Sequence, residues 1–128
     1  VSVSYDPYNR GDSLFSVTAL PVEGISLEEI EKALLAEIEN LKINLVSNDE
    51  LNRVVTRYMA DLIYSQDDIA GQARMIGTLE VNGLSYQLID QLQQHYESIS
   101  PEDIQRVANI YFNQDNLSNM HILPDQKK

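Results

Sequence analysis

The stretch Ser98-Ile-Ser-Pro-Glu-Asp-Ile-Gln-Arg-Val-Ala-Asn-Ile-Tyr-Phe-Asn-Gln-Asp-Asn-Leu117 holds a whole helix together with its start and stop signals. Ser100 is a capping residue, and Pro101 stands at the first helical position, where a missing N–H costs nothing. Glu102 and Asp103 put negative charge at the positive end of the helix dipole. Ile104, Val107, Ala108 and Tyr111 recur at helical spacing, so they read as the buried face, with Gln105 on the solvent side. Asn113 to Asn116 interrupt the pattern with turn residues, and Leu117 to Leu123 reads as a closing strand.

The rest of the chain extends this pattern upstream. Val1, Val3 and Tyr5 alternate with Ser2 and Ser4, the period of a half-buried strand. Asp6 to Asp12 supplies a turn, and Ser13 to Leu20 reads as a second strand, antiparallel to the first because so short a connection cannot make a parallel crossover. Ser26 with Glu29, and Ser47 with Glu50, have capping-box spacing and open two helices. The first would bury Leu27, Ile30, Leu34, Ile38 and Leu41; the second, Leu51, Val54, Val55, Tyr58, Leu62 and Ile63. A third helix begins near Ser65 or Asp67 and runs toward Val81, stopped by Asn82-Gly83. A fourth spans about Ser85 to Glu97 and buries Leu88, Leu92 and Tyr96. Two strands, five helices and a final strand make an α+β fold: a small antiparallel sheet of about three strands with about five helices on one face. Residues 1–128 read as one domain, with 124–128 as a disordered tail.

Composition narrows the function classes. The 128 residues are 43% hydrophobic, enough for a packed core, and carry a formal net charge of −11. That charge argues against nucleic acid, whose phosphates require clustered Lys and Arg, and against an anionic membrane surface. It suits a cationic peptide substrate, although solubility alone accounts for it. The absence of cysteine excludes disulfides and thiolate zinc sites. No apolar run approaches the ~20 residues of a membrane span.

The closing motif resembles that of the insulinase/pitrilysin-like zinc metallopeptidases, whose domains often end in a Ser/Thr-Pro-Glu-Asp helix, an Asn-x-Asp-Asn-Leu turn and a strand ending in Leu-Pro. Three further blocks resemble the family in order: Ser4-Tyr5-Asp6-Pro7-Tyr8 with Gly11 and Leu14-Phe15-Ser16-Val17; Ser47 to Arg53, with Glu-Leu-x-Arg; and Asp68-Ile69-Ala70-Gly71-Gln72-Ala73 with Gly77. The resemblance implies a metallopeptidase-like (mitochondrial processing peptidase-like) domain. The family's inverted zinc motif, His-x-x-Glu-His, is missing: the two histidines are His95, before Tyr96-Glu97, and His121, before Ile122-Leu123. The resemblance therefore implies a non-catalytic C-terminal portion of such a peptidase, or of its inactive paired subunit, in which two halves enclose a peptide chamber. No cofactor is expected in this chain, with zinc expected in the parent's catalytic domain. The partners implied are the rest of the parent or a paired catalytic subunit, and a peptide substrate. The compartment is left unknown by the sequence, the absence of cysteine fitting bacterial periplasm and cytoplasm alike. The alternative is a stand-alone protein-interaction module unconnected with proteolysis.

No residue is assigned a catalytic or metal-binding role, and no substrate-binding residue is assigned. The family's Arg and Tyr that hold substrate would lie upstream of Val1, and their role is not carried over to Tyr5 or Tyr8. Ala70, Ala73 and Gly77 recur near one helix face and read as a surface for close packing. Asp49, Arg53, Arg57 and Asp61 form a charge ladder, read as a solvated face of weak pairs in preference to a substrate site. Asp67-Asp68 reads as helix-start acid and not as a calcium loop. His95 reads as a surface histidine, and His121 sits within the last segment. Strand Val1 to Tyr5 lacks the Lys or Arg that blunts an edge, so homodimerisation through it is expected.

Overall fold

A computed structural model describes residues 1–65 and 67–123. Among them are β1 (Ser2–Ser4), β2 (Ser16–Thr18), α1 (Leu27–Ile43), α2 (Asn48–Ser65), α3 (Ile69–Val81), α4 (Leu88–Glu97), α5 (Pro101–Tyr111) and a 3-10 turn (Gln114–Asn116). The α+β expectation and the five helices hold. The sheet has two strands, not three: β1 and β2 pair antiparallel, with Val3 opposite Val17. Leu117 to Leu123 forms no strand. Its residues have strand propensity, but a strand exists only as a member of a ladder, and β1–β2 is the one ladder among the described residues. The expected tail 124–128 lies outside the described residues.

The chain divides into two compact units, residues 1–19 with 47–101 and residues 20–46 with 102–128. In the first unit, α2 starts where Ser47 Oγ accepts from the Glu50 N–H at 3.2 Å. The α3 helix starts on Asp68, whose Oδ1 accepts from the Ala70 N–H at 3.0 Å. It ends in a Schellman motif: Gly83 takes φ +79°, its N–H donates to Glu80 O at 3.1 Å, and the Leu84 N–H donates to Leu79 O at 2.9 Å. A side chain at position 83 would strain that turn. The Asn82 amide donates to the carbonyls of Tyr8 and Thr78, tying the β1–β2 connection to the end of α3. Leu79 and Leu92 are the buried centre of this unit. The fourth helix begins at Leu88, later than expected, because Ser85 to Gln87 is spent on a tight turn with Leu88 N–H donating to Ser85 O.

In the second unit, α1 carries a complete capping box. The Ser26 N–H donates to Glu29 Oε2 at 2.8 Å, and the Glu29 N–H donates to Ser26 Oγ at 3.2 Å. All five residues expected on its apolar face are half-buried. The end of α1 leaves carbonyls without helical partners. Two α5 side chains satisfy them: Gln105 Nε2 donates to Ile43 O and Asn109 Nδ2 to Lys42 O, each at 3.1 Å. This corrects the reading of Gln105 as an idle solvent residue. It also turns the helix face. Ile104, Ala108 and Phe112, four apart, are the shielded stripe, with Ala108 1% exposed. Val107 and Tyr111, expected inside, are 39% and 61% exposed.

Candidate functional site

The surface most shaped for recognition lies in the first unit, between α2 and α4. Helical spacing brings Leu51, Val55, Met59 and Ile63 of α2 opposite Gln93, Tyr96 and Glu97 of α4, lining a groove of about 630 Å³. A smaller groove of about 250 Å³, lined also by Ile89 and Asp90, shares Met59, Ile63 and Gln93 with it. The α2 side is mainly aliphatic and thioether, with Asn52 and Thr56 also in the lining. The α4 wall is polar, with Gln93 Nε2 donating to Glu97 Oε1 at 2.9 Å.

A tyrosine cluster braces one end. The rings of Tyr58 on α2 and Tyr96 on α4 have centroids 4.3 Å apart and planes tilted by 39°. The Tyr96 phenol is pushed well above its ordinary pKa, first by burial, then by its hydrogen bond to Tyr58 and the nearby Tyr58 and Tyr8 hydroxyls. Tyr8 is raised too, by burial first and then by Tyr58 and Asp6. Both phenols therefore stay protonated at neutral pH. They are fitted to hydrogen bonding and ring packing, not to nucleophilic attack.

The other sequence candidates separate from this site. Arg53 and Arg57 are exposed on α2 outside the groove lining, and none of Asp49, Arg53, Arg57 and Asp61 forms an ion pair among the described residues. Asp68 is consumed as the α3 cap. The small-residue surface does not act as expected. Ala73 and Gly77 are exposed, and a β-carbon at 77 would meet nothing within 4 Å. Gly71, outside that set, is the constrained small residue: a β-carbon there would sit 2.8 Å from Asp68 Oδ2, against the carboxylate that caps the helix. His95 is exposed in the last turn of α4. In the second unit, His121 Nε2 lies 3.2 Å from Glu31 Oε2, joining the segment after the 3-10 turn to α1.

Among the described residues no three His, Asp or Glu side chains converge, and His121 faces a single carboxylate. The Tyr58–Tyr96 pairing was invisible in sequence because 38 positions separate two rings that each look like ordinary apolar-face residues. The Gln105 and Asn109 contacts had a partial signal, amides four apart on a helix, but their acceptors lie more than 60 residues away. The chain matches no protein-family model and no curated protein, so the reading of the site rests on its own residues.

Proposed function

We propose that the chain is a non-catalytic C-terminal portion of an insulinase/pitrilysin-like zinc peptidase, or of its inactive paired subunit, and forms part of the wall of a peptide chamber. The observation that carries the reading is how much apolar surface waits for a neighbour. Leu79, Leu92 and Ala108 are the chain's buried hydrophobic residues among those described, while Leu14, Leu20, Ile69 and Met120 are each at least 80% exposed. Exposure of large apolar side chains on this scale favours a part that is completed by other protein. The four blocks that resemble the family in order favour this parent, and of the closing block the helix opened by Pro101-Glu102-Asp103 and the Asn113-capped turn are present, while its strand is not.

In this reading zinc, bound elsewhere in the parent, supplies an activated water for peptide hydrolysis. This chain's residues contribute shape: an aliphatic groove, a polar wall and phenols that stay protonated. The test is to sequence the gene product that contains the chain, isolate it from its source with any bound subunit, and assay a fluorogenic peptide with and without chelator. The expected result is an inverted His-x-x-Glu-His in the same or the bound polypeptide and activity lost on chelation. Neither polypeptide containing the motif would refute the proposal and leave the interaction-module reading.

A further inference from the structure

We propose that the trough between α2 and α4 docks a basic amphipathic helix of a partner protein. This goes beyond the peptidase reading and does not depend on it, since it uses residues of the first unit alone. The two grooves share Met59, Ile63 and Gln93 in their linings. Along α2 the lining runs from Leu51 to Ile63, about 18 Å at the helical rise, or between three and four turns. That matches a short helix laid into a groove by apolar residues at i, i+3/i+4 and i+7. Ile63 is in both linings and yet 60% exposed, an apolar anchor without cover.

Charge selects the occupant. The acidic or basic side chains of the lining are Asp90 and Glu97, both carboxylates and both on the α4 wall, seven residues apart and so on one side of the helix. Arg53 and Arg57 stand on α2 outside the lining. The occupant that satisfies both walls has an aliphatic stripe for Met59 and Ile63 and a row of Lys or Arg for Asp90 and Glu97. A second copy of this chain is a poor occupant, because at −11 each copy would bring like charge to an acidic wall.

The experiment titrates the full chain into a fluorescein-labelled 14-residue peptide of Leu and Lys at helical spacing and follows anisotropy. Two controls are a peptide of the same composition with the spacing scrambled and one with Glu for every Lys. The Leu/Lys helix is expected to bind at least tenfold tighter than either control. Ile63→Gln, and separately Asp90→Asn with Glu97→Gln, should each weaken binding at least fivefold while circular dichroism shows unchanged helix content. In the unaltered chain, NMR signals of Met59 and Ile63 should shift on adding the peptide, which keeps the test independent of the variants' folding. Equal binding of the scrambled peptide, no binding of the Leu/Lys peptide, or unmoved Met59 and Ile63 signals would each overturn the proposal.

Discussion

Tyr58 and Tyr96 hold α2 and α4 together with rings 4.3 Å apart, centroid to centroid, and tilted by 39°. A groove lies between the same two helices, and this aromatic contact braces their spacing. Pairs of this kind are coupled by about 0.5–1.5 kcal/mol beyond the area they bury. A double-mutant cycle with Tyr58→Leu and Tyr96→Leu, read by urea unfolding, should recover a coupling of about that size. Additive losses would mean that the rings touch without supporting each other.

The same pair gives the chain a response to alkali. Burial and the Tyr58 hydrogen bond raise the Tyr96 pKa in the folded state. The folded chain thus holds that proton more tightly than the unfolded chain, whose phenol titrates near its ordinary value of about 10. The associated stability is complete below that pH and declines as pH rises through the alkaline range. Tyr8 contributes in the same direction. The urea midpoint should hold steady up to about pH 9 and fall above about pH 10. Tyr96→Phe, which has no proton to lose, should fall less steeply. Parallel curves for the two proteins would assign the alkaline loss to other groups.

On α5 the structure keeps Ile104 and Ala108 shielded, as helical spacing suggests, but leaves Val107 and Tyr111 outside. Ala108 is 1% exposed and Val107 39%. Ala108→Leu must force extra volume into a closed position and should cost about 1–3 kcal/mol. Val107→Asp should stay within about 0.5 kcal/mol, as exposed substitutions do. Gln105→Asp should not be silent: it removes the donor to Ile43 O and puts a carboxylate at the negative end of α1. Its cost should be about 1 kcal/mol or more, and restoration by Gln105→Asn would show that the amide is what matters. The thermal midpoint of each variant decides the order.

How far the sequence reached follows from the range of each interaction. Caps and stops were legible because their partners lie within a few positions: Ser26 with Glu29, Ser47 with Glu50, Asn82 with Gly83. The apolar stripe of α1 was legible for the same reason. The α5 face was misread because periodicity weighs Val107 and Tyr111 by hydropathy, while Gln105 and Asn109 turn the helix by bonding to distant α1 carbonyls. The third strand was misread because strand propensity in Leu117 to Leu123 is met by no ladder. Of the candidate site, the aliphatic residues of α2 were named, but the groove needed α4 opposite them.

Acid should act on the start of α1. The Glu29 carboxylate accepts the Ser26 N–H, which lowers its pKa, with its bond to the Ser26 side chain acting the same way. A depressed pKa means that the cap's contribution is present above the ordinary carboxylate range, about pH 4, and is lost as pH falls through the folded value. Helix content should drop below about pH 4, and less so in Glu29→Gln, whose amide oxygen accepts the same bond without titrating. Ser26→Ala should remove the cap at every pH, at about 1 kcal/mol. Equal acid sensitivity of Glu29→Gln and the parent would assign the loss to other carboxylates.

The last expectation concerns the sheet. With two strands, each has one edge without a ladder partner among the described residues, and β1 presents Ser2, Val3 and Ser4, all exposed, with Val3 at 59%. Unpaired N–H and C=O groups on such an edge template another strand, and the residues that commonly prevent it, Lys above all, are missing from Val1 to Tyr5. Backbone pairing at this edge competes with the repulsion of two −11 chains, which added salt screens. Self-association should therefore strengthen with ionic strength, opposite to the docking of a basic helix. Sedimentation velocity over a concentration series, at low and at high salt, should show a dimer that Val3→Lys abolishes while leaving helix content intact. A chain that stays monomeric at high salt, or a dimer indifferent to the lysine, would place the association elsewhere than β1.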